Sequence, residues 1–475
     1  MNYDQLMQVD LAKLEAAVTD WKRVAGDVER LGGEARGGLK AKADGARWEG
    51  VNAGVTRGFV DKTVKEFGDL HTEAQSVSGV LDDACAELKG LQQQAKSLTE
   101  DAQANGFTVS SGKDGGVVIA ERVCSVERSR RVADLMRWFA DTLTGVVVHA
   151  NEIDAAAVRS LRGAHGGDPN NAGHGVYTSL DQDMLPRALK LAALGGGADE
   201  QQQKELRRLW QSLGPESRSR LWTDHKDDLL AAGLLTPQVK RVAADKGAGR
   251  FGTESPGASD YWKLLQARGM SNAGDFLGMP DAARHMDHYL RGTGTPLDLD
   301  VDRMLTDDAN LRAAAAAARA NERDQWRRQA LDAFEASGGK PVALPVETLG
   351  VGYKHSEGAD QNWYLAVGRA MTNTTGVVTA VPGPDGKPQV AIDYQVNVWD
   401  RYNWDAGKFT PIGPTSVTDD DMARFHTVGL AREFDMRGSS SVQQYDLDSG
   451  GPGPAPADPG RDGTRTDLGR NGDAR

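Results

Sequence analysis

The first hundred residues carry the pattern that most restricts how this chain can fold. Leu11, Leu14, Val18, Trp21, Ala25 and Val28 recur at alternating steps of three and four. Phe67, Leu70, Ala74, Val77, Leu81, Ala84, Leu88, Leu91, Ala95 and Leu98 repeat the same rhythm without interruption. Steps of three and four place side chains along one stripe of an α-helix, the stripe that packs against another helix. Between the two stripes lies Trp48-Glu49-Gly50, with Gly45 just before it. Two such helices joined by a short glycine-bearing break predict an antiparallel helical hairpin over 1–102, with Trp48 capping its open end.

Beyond it, Phe107-Thr108-Val109 and Val117-Val118-Ile119 flank a Gly-rich turn and predict a small β-hairpin. Helical periodicity returns at 126–163 through Val132, Leu135, Phe139, Leu143, Val146 and Val147, and residues 103–163 are expected to complete the N-terminal module. The run His165 to Asn171 marks a linker or exposed loop. Residues 164–339 read as a helical middle region. In it Leu185–Leu194, Gln201–Leu213, Ser217–Ala232 and Ser259–Arg268 are the clearest helices, followed by a long alanine-rich one from Thr306 to Phe334.

After Gly338-Gly339 the character changes. Trp363–Val367, Gly376–Val381, Val390–Val398 and Phe409–Ile412 are β-branched or aromatic runs, with a turn at residues 382–387. Ile392, Tyr394, Val396 and Val398 alternate with polar residues, so that strand is expected to bury one face. A helix follows over Thr418–Ala431, with Asp419, Asp420 and Asp421 at its positive end. Residues 340–448 therefore predict an α+β module with an antiparallel sheet. Residues 449–475 are Gly, Pro, Asp and Arg with almost nothing apolar, a composition expected to be disordered. The fold class is multidomain and mainly α: hairpin, helical middle, α+β module and tail.

Composition narrows the functions. A length of 475 residues allows about two to four domains. A net charge of −12 disfavours nucleic acid and anionic membrane as partners. No run of eighteen apolar residues exists, so no transmembrane segment is expected. Residues 1–15 are polar, so no cleavable leader is expected and the chain is either cytoplasmic or exported without one. Cys85 falls beside the seam residue Ala84 and reads as a small buried thiol; export would let it pair with Cys124 instead. His285 and His288 lie three apart but lack a third ligand at metal spacing. Asp298, Asp300 and Asp302 lack the glycine and distal glutamate of a calcium loop and read as charges at a helix start. The glycine-rich stretch 247–257 lacks the Lys-Ser/Thr ending of a phosphate cradle. Neither metal nor cofactor is expected.

Trp48 and Gly50, flanked by heptad helices near an N-terminus, make residues 1–102 resemble the WXG-type hairpin proteins exported by type VII (ESX-like) secretion in actinobacteria and related bacteria. The resemblance implies secretion or surface display by a leaderless route. It gives Trp48 and Gly50 a role in binding the secretion machinery or a helical-hairpin partner. The family's export signal, a Tyr with Asp or Glu four residues on, does not close the second helix; Tyr177 and Asp181 have that spacing further downstream. Proteins of this type and size commonly end in a toxin used between bacteria, with an immunity protein as its partner.

The densest polar-aromatic cluster is Trp399-Asp400-Arg401-Tyr402-Asn403-Trp404-Asp405, with His426, Arg432, Glu433 and Asp435 further on. An aspartate and a histidine brought together activate water by general-base chemistry, so Asp400, Tyr402, Asp405 and His426 are the candidate catalytic residues. The other reading is structural, with Trp399 and Trp404 as core anchors and the aspartates in turns. The region resembles colicin M-type bacteriocin domains, which cleave the lipid-linked peptidoglycan precursor. Asp400 and Tyr402 match the family's Asp-x-Tyr-Asp motif; Asn403 replaces its second aspartate, and Phe409-Thr410 stands in place of its His-Arg pair. Two functions follow as expectations. One is a secreted effector whose C-terminal domain is a hydrolase of a cell-envelope substrate. The alternative is a non-enzymatic interaction or scaffold protein.

Overall fold

The structure is a computed structural model that describes residues 1–47, 49–113, 115–121, 130–165, 177–237, 249–276, 278–355, 361–404, 417–449 and 451–452. Trp48, Cys124, His174, Asp405, Phe409–Ile412 and the chain beyond Pro452 lie outside the described residues. The chain is mainly helical and divides into two compact units, Met1–Leu234 and Leu235–Arg475.

The first unit opens with α1 (Tyr3–Gln8) and α2 (Ala12–Glu34), which continues through one π-helical stretch, Ala35–Lys40, into α3 (Ala41–Gly45). Then α4 (Val51–Ala104) runs 54 residues, about 80 Å at the helical rise. Ion pairs join Glu15 to Lys89, Lys22 to Asp82 and Lys40 to Asp61, so the partners advance in opposite directions and the hairpin is antiparallel. Leu11, Val18, Ala25 and Val28 of the predicted stripe are buried, as are Ala74, Ala84, Leu88, Leu91 and Ala95. Trp21 and Leu70 stay 38% and 43% exposed, at the edge of the seam rather than in it. The reversal uses Gly50, whose φ of 101° and ψ of −176° belong to glycine, as the N-cap of α4. Cys85 is a buried thiol on α4.

The expected β-hairpin is β1 (Phe107–Ser111) paired antiparallel with β2 (Val117–Glu121). Then α5 (Arg130–His165), α6 (Asp181–Ala192), α7 (Glu200–Ser212) and α8 (Pro215–Ala231) complete the unit. Glu152 of α5, its side chain 9% exposed, accepts from Arg159 at 2.9 Å and Arg187 at 3.0 Å. Arg187 also donates to Glu205 of α7, and Arg159 to Asp183 of α6, so one ion network ties three helices.

The second unit sets helices against one sheet. It contains α9 (Ala258–Phe276), α10 (Pro280–Leu290), β3 (Leu297–Asp298), α11 (Val301–Asp307), α12 (Ala309–Ala336), β4 (Val342–Glu347), β5 (Val351–Lys354) and α13 (Gln361–Ala366). It continues with β6 (Arg369–Pro382), β7 (Pro388–Tyr402), α14 (Asp419–Thr427), β8 (Phe434–Ser439), β9 (Gln443–Asp446) and β10 (Gly451–Pro452). The long antiparallel pair β6–β7 is central; β4 and β5 share the outer edge of β6, while β8 and β9 share that of β7. One core joins Tyr289, Met304, Leu311 and Trp326 of the helices to Val378, Ile392, Val396 and Val398 of the strands. The expected division near residue 340 therefore cuts through one hydrophobic core, and the units part at Leu234 instead.

Several local expectations change. The alanine-rich helix is two helices, because Asp308 adopts extended geometry and its carboxylate accepts from Asn310 N, which starts α12 afresh. The segment Trp363–Val367 is the short helix α13 and its exit, not a strand. Asn362 there accepts from Asp281 N and Ala282 N at the start of α10, and Gly368 at φ 72° ends the turn. The helix predicted over Thr418–Ala431 is shorter, capped by Thr418 and stopped by Gly429 at φ 77°. Gly451–Pro452, inside the predicted tail, pairs with β9. Asp300 caps α11 by accepting from Arg303 N, as its position suggests.

The largest difference concerns β7. Its even-numbered face meets the helices, but the odd-numbered face is buried too: Asp393, Gln395 and Asn397 are 7%, 8% and 1% exposed. Asn397 lies opposite Asn373 and Gln395 opposite Thr375 in the β6–β7 register. Their side chains form one hydrogen-bonded ladder that also binds the carbonyl of Leu235, through Thr375 Oγ1 at 2.6 Å and Gln395 Nε2 at 3.0 Å.

Candidate functional site

The polar-aromatic cluster does not follow the strand; Trp399–Tyr402 are its last four residues. Successive side chains of a strand point to opposite faces, so Asp400 and Tyr402 share one face and Arg401 takes the other. Tyr402 stacks on Phe434, its cross-strand neighbour, with ring centroids 5.0 Å apart and planes 11° from parallel. Tyr289 and His285 of α10 close the same aromatic group at 5.7 and 6.3 Å. Burial raises the Tyr402 hydroxyl well above the usual phenol range, and the Tyr289 hydroxyl donates to Met422 O at 2.7 Å. Asp400 acts electrostatically on Tyr353 of β5, whose hydroxyl burial likewise raises.

His426 belongs to a different constellation. It lies in the last turn of α14, positioned by the Thr418 capping box at one end and Gly429 at the other. Its side chain is 5% exposed, and Nε2 lies 3.9 Å from Glu433 Oε2. Arg401 donates to that same carboxylate oxygen through Nε at 3.1 Å and a terminal nitrogen at 2.9 Å, and the Glu433 side chain is 1% exposed. The backbone N–H of Glu433 points at His426 Nδ1, 3.3 Å away. A donor on Nδ1 makes that nitrogen the acceptor and leaves the ring proton on Nε2, toward the carboxylate. Burial, then the charges of Arg401 and Arg432, hold the His426 imidazole down to about 4, so it is neutral at neutral pH.

The predicted residues thus fall into two groups. Asp400 and Tyr402 share a strand face with the aromatic core, whereas His426 joins Arg401 and Glu433. Asp405 and Trp48 lie outside the described residues, and Gly50 shapes the hairpin turn. Sequence reasoning noted Glu433 and Arg401 without pairing them; the signal available was an acidic residue seven positions after the histidine. It missed a second pair entirely. His355 Nδ1 contacts the carboxylate of Asp308, and Tyr353 Oη lies 3.2 Å from His355 Nε2. The side chains of His355 and Asp308 are 0% and 3% exposed, so this trio fastens β5 to the start of α12, out of reach of any substrate. His285 and His288 turn to separate backbone carbonyls, Ala366 O and Thr295 O.

At the far end of the first unit, the hairpin tip leaves large apolar side chains in water. Leu39, Val51, Val55 and Phe59 are 56%, 83%, 67% and 70% exposed, the last three on one stripe of α4. No helix among the described residues is long and apolar enough to cross a membrane. Comparison of the chain with known protein families, characterised proteins and solved structures finds no match.

Proposed function

We propose that this chain is a secreted effector exported by a leaderless, type VII-like route. The hairpin is the module that the secretion machinery or a helical-hairpin partner grips. The second unit is the cargo, a toxin-like hydrolase of a cell-envelope substrate. The observation that carries the reading is the hairpin tip: four large apolar residues stand more than half exposed there, whereas Trp21, Val24, Leu31 and Leu70 further along the pair are 38–43% exposed. Exposed apolar surface of this kind marks an interaction site. In the second unit, the histidine–glutamate–arginine group supplies a neutral imidazole whose tautomer is set by the Glu433 backbone N–H on Nδ1, with Nε2 facing the Glu433 carboxylate 3.9 Å away, an arrangement that can accept a proton. Its basic nitrogen is Nδ1, now resting on the Glu433 N–H; a substrate proton donor would take that place.

The test is expression of residues 235–475, the whole second unit, in a sensitive bacterium, once in the cytoplasm and once directed to the periplasm. A fragment beginning at 340 would lack half of its core. Growth arrest in one compartment, relieved by His426→Ala, is the expected result, and the compartment gives the side of the membrane that holds the target. The near inaccessibility of His426 favours the second reading, a non-enzymatic interaction or scaffold protein. Normal growth in both compartments with a folded, soluble fragment would leave that reading in place.

A further inference from the structure

The chain that leads into α9 lies across the candidate imidazole. Phe251, itself 42% exposed, places its ring 5.4 Å from that of His426, and the Arg432 guanidinium lies 4.8 Å from the centre of the Phe251 ring. Two backbone hydrogen bonds hold this chain down, Gly252 N to His426 O at 3.1 Å and Glu254 N to Thr427 O at 3.0 Å. Both carbonyls belong to the last turn of α14, and His426 O also accepts from Gly429 N at 3.2 Å. A few residues on, Arg424 of α14 donates to Glu254 and to both carboxylate oxygens of Asp260, at 2.8, 2.8 and 3.1 Å. Gly249 and Gly252 adopt φ of 72° and 64°, and Gly252 lies in ordinary van der Waals reach of Gly429. The attachment is therefore made of one exposed ring, two terminal-turn hydrogen bonds and one partly exposed arginine clamp. Attachments of this kind open far more readily than a packed core.

We propose that residues 249–257 form a strap that closes over His426 and lifts to admit a substrate to it, with Phe251 as the cover and Arg424 as the clamp. The proposal rests on the reading of His426 as the working imidazole, but its test does not. The full-length protein is treated at neutral pH with diethyl pyrocarbonate, which acylates neutral imidazoles, and the rate at each histidine is read by peptide mass spectrometry. His355, with its side chain 0% exposed, sets the floor, and half-buried His288 sets the reference for a reachable ring. In the native chain His426 should react near the floor. Phe251→Ala and Arg424→Gln should each raise its rate by about tenfold while leaving His288 unchanged. Both substitutions fall on partly exposed side chains, so folding is retained. A native His426 as reactive as His288, or a rate that stays at the floor in both variants, would overturn the strap. A toxin test that fails while these rates rise would remove the hydrolase and keep the strap.

Discussion

Asn397 is the residue whose replacement the structure prices most directly. It is 1% exposed on the odd-numbered face of β7, and each hydrogen-bonding site of its amide is used. Nδ2 donates to Asn373 Oδ1 and Thr375 Oγ1, both at 3.0 Å; Oδ1 accepts from Gln395 Nε2 at 2.9 Å and Ser439 Oγ at 2.7 Å. In Asn397→Leu, Thr375 and Gln395 keep the Leu235 carbonyl and the exposed Ser439 turns to water, but the buried Asn373 carbonyl loses this donor. A stranded acceptor costs about 1–3 kcal/mol and each lost bond about 1, partly offset by the larger apolar side chain, so a loss of about 2–4 kcal/mol is expected. Asn397→Asp keeps the shape and removes both donors, and it places a carboxylate where only an amide is satisfied. Its carboxyl must therefore titrate above the ordinary value near 3.9, and its deficit against the native protein should shrink as pH falls toward about 4. Hydrogen exchange of β6 and β7 peptides in the full-length chain reads both effects, with β1–β2 peptides of the other unit as the control. A loss below about 0.5 kcal/mol for Asn397→Leu, or an Asp deficit that does not vary with pH, would refute the ladder as a stabilising element.

Three further outcomes follow from the same physics. Burial above all, then the charges of Arg284 and His288, hold His285 down to about 4 from 6.5. The folded state therefore prefers the neutral ring, and its stability is complete above pH 6.5 and falls as pH drops through about 4. A shift of this size is worth about 3 kcal/mol, so the thermal midpoint of residues 235–475 should fall across that window, less steeply in His285→Gln. Glu152→Ala removes the one acceptor that Arg159 and Arg187 share but leaves each with its other carboxylate, Asp183 or Glu205, and should destabilise the first unit by about 1 kcal/mol, read as faster exchange in α5 and α6. Gly50→Ala forces a side chain into backbone geometry that only glycine tolerates, at a cost of about 1–3 kcal/mol, visible as faster exchange in the first turns of α4.

What the sequence discloses about the fold depends on how local the cause is. The hairpin was legible because its stripe repeats over many turns of two helices, and errors at single positions such as Trp21 and Leu70 do not disturb the period. Single residues with a local reason to break an element were harder. Asp308 sits among good helix formers, and only its carboxylate on Asn310 N divides the alanine-rich run. Trp363–Val367 has strand composition, yet Asn362 and Gly368 bend it into a helix that docks on α10. A local cap decides the first case and tertiary packing overrides propensity in the second. The boundary at 340 coincides with a change in composition. A core is shared by elements on both sides of that change, and composition along the chain carries no record of such sharing.

The odd-numbered face of β7 shows the same limit at the level of a single strand, and it bears on the site. Alternation of apolar and polar residues predicts one buried face and one wet face. That inference assumes that Gln395 and Asn397 require water, whereas cross-strand partners satisfy them instead. The alternation itself is correct, and it separates Asp400 from Arg401. A reading that counts polar residues near one another in sequence gathers Asp400, Tyr402 and His426 into one site. Strand geometry sends Asp400 and Tyr402 toward the aromatic core and turns Arg401 toward Glu433, which His426 then joins. The substitution that separates the two groups is Arg401→Met. It leaves Tyr402 stacked on Phe434 but strands the Glu433 carboxylate beside the imidazole. The His426 imidazole should then titrate higher, because a neighbouring positive charge is gone and a negative one is unmasked. An imidazole titration followed by NMR that shows no upward movement in Arg401→Met would mean that Glu433 and His426 are not electrostatically coupled, and the proposed base would lose its orienting partner.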